Sequence, residues 1–495
     1  MFTIEKDHRK RPIYEQLYRY YRNKIESGEL SPGEKLPSRR ELSSRLKLSP
    51  GTVENAYAQL VAEGYLVTRE KSGCYVNDLI APSQESGEVA TALPEVVSAQ
   101  GGRGLRSQIA SYRYSLSTDR TGSENFPFST WAKLMRECLS EENRGLLALP
   151  DPKGDRELRD EIAKYLSNYR GIEANPEQLV VGAGSEFLLG LLVQLMGREL
   201  VYALENPGYR KTERILAANG ARTVFVPLDA EGVQIAELDR QGASVVHVTP
   251  SHHFPLGGVM PVGRRKELLR WASKGERYII EDDYDSEFRF SGRPIPALCS
   301  LGFEGAAGGR VVYTNTFTKS LMPSLRISYI LLPVALMDRY ERLFSFYSCS
   351  VPNFEQRTLW RFLARGYFGR HLNRMKTVYR ARRDAFLTKL TAESPDGQVE
   401  VSGRDAGLHL VVGVRNGMCE RELVDSAGEA GVEVSGLSEY YHATADDMPK
   451  SSVVVGYSEY PAEDLHQAAE LLCRAWFGRG TNEATVRKDN RWTEI

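Results

Sequence analysis

The sequence predicts an α/β protein in two folded parts, a small basic head and a large body with a mainly parallel sheet. Three observations predict it. Residues 1–77 hold three helical stripes followed by two short β-like runs. Residues 113–478 alternate short β-branched runs with amphipathic stretches, the pattern of strands joined by crossover helices. Between them, residues 78–112 are rich in Ser, Gly, Ala, Pro and Glu and keep no long period, which reads as a flexible linker. A polar tail, 479–495, follows the body.

Composition sets the outer bounds. With 495 residues, 41% of them hydrophobic and 26% charged, the chain is an ordinary globular one with room for more than one core. The net charge of -1 hides an asymmetry: residues 1–77 carry 14 Lys/Arg against 10 Asp/Glu, and the remainder carries 50 against 55. A basic head on an acidic body points to a polyanion partner for the head alone. The six cysteines show no C-x-x-C spacing, which fits reduced thiols and neither disulfides nor a metal site. The longest apolar stretch, Leu188 to Met196, is broken by Gly190 and Gln194 and is too short to span a bilayer. The start, MFTIEKDHRKRP, lacks the apolar core of a secretory signal. A cytoplasmic protein with no membrane partner is expected.

In the head, Ile13, Leu17, Tyr20/Tyr21 and Ile25 mark a first helix that Gly28 ends. Ser38-Arg39-Arg40-Glu41 spells a capping box for a second helix, with Leu42 and Leu46 facing inward. Ser49 caps a third, where Pro50 loses nothing because a first-turn N–H has no helical partner. Its buried stripe is Val53, Ala56, Tyr57 and Leu60, and Gly64 stops it. Tyr65-Leu66-Val67 and Cys74-Tyr75-Val76 then flank a Lys71-Ser72-Gly73 turn. Three helices and a hairpin make a winged helix-turn-helix, whose third helix enters the DNA major groove. The string ELSPGEKLPSRRELSSRLKLSPGTVENAYAQLVAEGYL closely resembles the GntR family of bacterial regulators. That resemblance implies DNA contacts from Ser38, Arg39, Arg40, Thr52, Arg69 and Lys71. Pro50 stands where relatives often carry an arginine, so Asn55 becomes a further candidate for base readout.

The body is organised around Val311 to Leu331. Val311-Val312-Tyr313 reads as a buried strand that opens into a Thr/Asn-rich loop ending in Lys319, with Arg326 seven residues on. A lysine at a strand end beside hydroxyls and a guanidinium has the parts of a Schiff-base site for pyridoxal 5'-phosphate (PLP). The amine meets an aldehyde, and the donors meet a phosphate. Upstream, Leu179-Val180-Val181 breaks into Gly182-Ala183-Gly184-Ser185-Glu186 before an apolar helix, a phosphate-cradle pattern. Glu205-Asn206-Pro207-Gly208-Tyr209 offers an aromatic face, and Tyr278-Ile279-Ile280 ends in Glu281-Asp282-Asp283-Tyr284. A carboxylate at that strand end can keep a pyridine nitrogen protonated, and a phenol can meet the ring's O3′.

This order resembles the aspartate-aminotransferase superfamily of fold type I. The spellings ENPGY, TPSHHFPLG, IIEDDYDSEFRF and TFTKSLMPSLRISYI are similar to its MocR branch, in which a GntR head is fused to such a body. The resemblance implies Lys319 as the Schiff-base lysine, Asp282 at the pyridine nitrogen with Asp283 as the nearby alternative, and Tyr284 at O3′. Tyr209 would lie on the ring, and Gly184, Ser185, Glu186, Thr316, Thr318 and Arg326 would surround the phosphate. Three positions depart from the family: Leu149 replaces a tyrosine before the D-P-x-G turn, Lys211 replaces an effector-binding arginine, and Ser452, after Lys450-Ser451, replaces the arginine that clamps an α-carboxylate. The expected protein is a homodimeric, PLP-dependent transcriptional regulator. Its head binds a double-stranded DNA operator, and its body senses a small amine, an amino-acid-like effector or PLP itself. The alternative is a working aminotransferase with an appended DNA-binding head, which the missing arginine disfavours.

Overall fold

The computed structural model describes residues 12–69, 72–77, 112–291, 296–302, 308–442 and 451–478, and the chain divides into two compact units, Met1–Ser107 and Gln108–Ile495. The expected linker up to residue 111, the tail, Lys71 and Lys450 lie outside the described residues.

In the first unit α1 (Ile13–Glu26), α2 (Arg39–Leu46) and α3 (Pro50–Ala62) precede an antiparallel hairpin of β1 (Leu66–Arg69) and β2 (Gly73–Val76). The Ser38 box closes as the spelling requires: Glu41 N donates to Ser38 Oγ at 3.2 Å, and Ser38 N donates back to Glu41 Oε2 at 3.4 Å. Ser49 Oγ likewise accepts from Thr52 N at 3.2 Å, with Pro50 opening α3. Leu17, Leu42, Val53, Ala56, Tyr57 and Leu60 are fully buried against one another. The first hairpin strand runs from Leu66 rather than Tyr65 and extends to Arg69, whose guanidinium lies over the Tyr75 ring at 4.6 Å.

The second unit opens with β3 (Tyr114–Ser115), α4 (Phe128–Cys138) and α5 (Arg156–Arg170). It continues as β4 (Leu179–Gly182), α6 (Ser185–Met196), β5 (Val201–Asn206), α7 (Arg210–Ala218), β6 (Arg222–Asp229) and β7 (Gly232–Val233). Next come α8 (Ile235–Arg240), β8 (Val245–Val248), α9 (Val262–Ala272), β9 (Tyr278–Asp282) and α10 (Leu298–Gly302). The central stretch forms β10 (Val311–Thr316), α11 (Phe317–Ser320) and β11 (Ser328–Leu331). Helices α12 (Val334–Phe344), α13 (Asn353–Ala364) and α14 (Tyr367–Glu393) lead to β12 (Val399–Ser402), β13 (His409–Val414), α15 (Glu420–Glu429) and β14 (Val432–Glu433). The chain closes with β15 (Ser435–Gly436), β16 (Ser452–Gly456) and α16 (Ala462–Phe477).

Eight strands form one sheet in the order β4-β11-β10-β9-β8-β5-β6-β7. Strands β6, β5, β8, β9 and β10 are mutually parallel, and β11 runs antiparallel between β10 and β4. Both faces are covered, so the strands read as continuous apolar runs. Val181, Ala203, Val246, Ile279, Val311 and Tyr313 pack into one core, whereas Val180, Leu204, Val245, Ile280, Val312 and Ile330 pack into another with α6 and α12. The period-2 alternation of side chains thus sorts every strand residue to one side or the other.

A second, antiparallel sheet has the order β12-β13-β16-β15. The sequence signalled β16 but not this separate layer. Leu410-Val411-Val412 in β13 is an apolar run with the same spelling as a parallel strand, and pairing direction leaves no mark in such a run. No helix among the described residues is long and apolar enough to cross a membrane, and all six cysteines are free thiols.

Candidate functional site

A cavity of about 370 Å³ opens at the ends of the parallel strands, on the α6 side of the large sheet. Its apolar wall is Leu188, Leu189, Leu192, Leu204, Ile280 and Ile330. Strand alternation decides which acid of the Glu281-Asp282-Asp283 run reaches it. Asp282 shares the face of Ile280, lines the cavity, and sits opposite Thr314 of β10, whose hydroxyl donates to it at 3.4 Å. His247 Nε2 stands 3.5 Å from its other oxygen. Asp283 turns to the opposite face. There, fully buried, it pairs with Arg170 Nε at 2.7 Å and accepts from Tyr313 Oη at 2.6 Å and Ser286 Oγ at 2.9 Å. Asp283 is therefore not available at the cavity, and the alternative to Asp282 falls away.

Lys319 enters from α11, a single helical turn that follows β10. Thr316 caps that turn by accepting from Thr318 N at 3.1 Å. The Lys319 amine is buried and donates to the Thr118 carbonyl at 2.7 Å. Burial pushes its pKa down, against the opposing pull of Asp119 and Asp285. A lowered pKa is what a nucleophilic amine needs, because only the neutral form carries a lone pair.

Tyr284 lines the cavity beside it and donates to the His252 carbonyl at 3.2 Å. Its oxygen is also 3.1 Å from His252 Nδ1, which lies 2.9 Å from Asp285 Oδ2. A carboxylate only accepts, so His252 carries its proton on Nδ1. Burial raises the Tyr284 pKa well above the usual phenol range, with Asp285 and Asp282 adding to it, so the group stays a donor. Tyr209 also lines the cavity, with its ring edge-on to Phe254 at 5.4 Å and its hydroxyl 3.3 Å from Asp119 Oδ1.

The remaining candidates meet at the start of α6. Gly184 has φ +95°, and a Cβ there would come within 2.3 Å of Arg326 Nη2, so only glycine admits the guanidinium. Arg326 itself takes the left-handed conformation, φ 51°, that brings it back toward this turn. Ser185 and Glu186 form the first turn of α6, which has no side-chain cap and so leaves N–H groups open to an anion. Glu186 accepts from Arg326 Nη2 at 3.0 Å and from Lys211 Nζ. Thr318 lines the cavity, and its Oγ1 accepts from Thr316 Oγ1 at 2.7 Å. Thr316 lines the cavity as well, and its hydroxyl also accepts from Ser328 Oγ at 2.8 Å.

The set fits PLP. A buried amine of lowered pKa, a carboxylate at a sheet end, a protonated phenol, and a guanidinium over an uncapped helix start that only glycine permits all line one cavity. Sequence reasoning missed Thr118, Asp119, His252, Asp285 and His409. Thr118 and Asp119 sit next to the expected linker, and His409 comes from β13, more than a hundred residues away from Asp285 in the chain. Ser452 opens β16 opposite Gly413 and does not line the cavity. Among the described lining residues the cations other than histidines are Lys211, Lys319 and Arg326. Leu149 is 84% exposed.

In the head, Arg39 and Arg40 are exposed in the first turn of α2, where the Ser38 hydroxyl is held as the cap. Arg39 Nη1 pairs with Glu54 of α3 at 2.7 Å, which sets these residues beside the exposed Asn55. Thr52 Oγ1 is 2.7 Å from Ser49 Oγ. Of the two wing candidates Arg69 is among the described residues, and Lys71 lies outside them.

Comparison with known proteins covers both units. Residues 13–76 match the bacterial regulatory proteins of the gntR family, and residues 117–451 match aminotransferase class I and II. The chain is 36% identical over 466 residues, 94% of its length and 97% of the relative's, to the uncharacterized HTH-type transcriptional regulator YdeL of Bacillus subtilis. It is 32% identical to the probable rhizopine catabolism regulatory protein MocR of Rhizobium meliloti, covering 94% of each chain. It is 30% identical to the HTH-type pyridoxine biosynthesis transcriptional regulator PdxR of Corynebacterium glutamicum, covering 92% of this chain and 94% of that one. Among solved structures, an archaeal alanine:glyoxylate aminotransferase superposes with a TM-score of 0.66 at 25% identity, over 74% of this chain and 91% of that one.

Proposed function

We infer that this chain, which belongs to the MocR-type regulators that join a GntR helix-turn-helix to an aminotransferase class I and II body, uses its PLP site to sense rather than to turn over. The head binds DNA and the body binds PLP. Bound PLP supplies an aldehyde for an amine and a ring that withdraws electrons. Lys319 provides the amine, whose pKa burial pulls down from its usual range. Asp282 offers a fixed negative charge for a protonated ring nitrogen, and Tyr284 offers a hydrogen bond from a phenol that His252 orients. Arg326, Thr318 and the start of α6 take the phosphate.

The observation that carries the sensor reading is the position of Ser452. Where an amino-acid substrate needs a charged, two-pronged grip on its carboxylate, a serine opens β16 outside the cavity, and the described lining holds no arginine but Arg326. The ligand is a small amine or amino-acid-like compound, or PLP itself. The last agrees with the pyridoxine-biosynthesis label of the Corynebacterium relative.

The reading includes a homodimer acting in the cytoplasm on two operator half-sites. Leu139, Leu147, Leu149 and Phe346 expose between 60% and 84% of their surface on the body, an apolar display that suits a partner subunit. The test titrates full-length protein on operator DNA with PLP, amino acids and dipeptides, and measures amino-acid turnover in parallel. A ligand-dependent shift in DNA affinity with negligible turnover is expected. Rapid multiple turnover of an ordinary amino acid with a keto-acid acceptor would replace the sensor by an enzyme.

A further inference from the structure

The phosphate seat contains an anion of its own. Arg326 is brought back by its left-handed backbone to lie over Gly184 at the uncapped start of α6, a position suited to an external anion. What it holds is the Glu186 carboxylate, 3.0 Å from its Nη2. The other Glu186 oxygen is gripped by Lys211. Lys211 first, and Arg326 with it, keeps the Glu186 carboxyl below its usual range, so it is charged throughout the neutral region.

We propose that Glu186 is a competitor for the cofactor's phosphate, alternating between Arg326 and Lys211, and that it sets the concentration of PLP at which the body fills. A phosphate approaching Arg326 meets a carboxylate already on the same guanidinium, and like charges sharing one cation disfavour both. Lys211 gives the carboxylate a second holder, so releasing Arg326 leaves no charge unpaired. All three side chains are between 40% and 50% exposed, so each has room to move and none is fixed by packing. An enzyme gains from keeping its cofactor permanently. A regulator that reports on PLP gains from a site that empties and fills within the range it must sense. The proposal rests on the PLP site described above and adds a control on its affinity.

Two readings of Glu186 predict opposite results. If it merely aims Arg326, removing its charge loosens PLP. If it competes, removing its charge tightens PLP. The experiment measures PLP and pyridoxal dissociation constants by absorbance titration of full-length wild type, Glu186→Gln, Glu186→Ala and Lys211→Met. Both Glu186 variants are expected to bind PLP roughly two- to tenfold more tightly, the scale of one partly exposed ion pair. Pyridoxal, which lacks the phosphate, should bind all proteins alike apart from small changes. Lys211→Met should weaken PLP binding, and inorganic phosphate should compete better against PLP in Glu186→Gln than in wild type. Unchanged or weaker PLP binding in both Glu186 variants overturns the proposal, as does equal tightening of pyridoxal. Wild type that binds no PLP would instead overturn the cofactor site itself.

Discussion

Asp282 and Asp283 are neighbours in the chain and lie on opposite faces of the large sheet. Asp282 lines the ligand cavity, while Asp283 is buried in an ion pair with Arg170 at 2.7 Å. One peptide bond separates a group that serves the ligand from one that serves the fold.

Their substitutions should therefore part company. Asp283→Ala leaves the Arg170 guanidinium buried without its charge partner, a loss of about 3–5 kcal/mol. Asp282→Asn should leave the melting temperature near wild type and weaken PLP binding and its visible absorbance. Thermal denaturation of the two variants in parallel checks both, and equal destabilisation would contradict the assignment.

Lys319→Ala removes the buried amine that donates to Thr118. The variant should fold with near-native stability, because the deleted amine is one that burial already disfavours as a cation. It should lose the borohydride-fixable PLP adduct. A surviving adduct, mapped by peptide mass spectrometry to another lysine, would move the site.

Glu287 gives the pH dependence. It is half-buried, accepts from Tyr165 Oη at 2.6 Å, and desolvation pushes its pKa up to about 7. The unfolded chain releases this proton near pH 4.5 and the folded chain holds it until about 7, so between those values the native state binds more protons. Stability contributed by Glu287 is present in full below about pH 4.5 and declines as pH rises through 7, by on the order of 3 kcal/mol. Glu287→Gln keeps an acceptor for Tyr165 and should flatten that decline. Melting temperatures of wild type and variant across pH 5 to 8 measure it, since the difference isolates this group from the rest.

On the head, Arg39 is held by Glu54, whereas the structure shows no such ion pair for exposed Arg40 among the described residues. Arg40→Ala should cost roughly 1–3 kcal/mol of operator affinity. Glu54→Gln should tighten DNA binding modestly by freeing Arg39 and removing a negative charge near phosphates. Fluorescence anisotropy at several salt concentrations tests both, with affinity falling steeply as salt rises.

What could be read in advance was local or periodic. The Ser38 box and the Val53, Ala56, Tyr57, Leu60 stripe are complete within a dozen residues, so spelling alone set them. Asp282 against Asp283 was also decidable, because counting in twos from the inward Ile280 selects Asp282. What escaped is non-local: the Lys319 amine is held by Thr118, 201 residues away, and Pro255 accepts from His409 at a separation of 154.

The Lys319 amine can serve the Thr118 carbonyl or a covalent partner, but its hydrogens do not suffice for both roles in the same geometry. Thr118 belongs to the first stretch of the body after the linker. Loading the site is therefore expected to free the Thr118 carbonyl from that bond. Occupancy of the cofactor site should then register in the backbone at the edge of the body, as faster amide hydrogen exchange at Thr118–Arg120 when PLP is added.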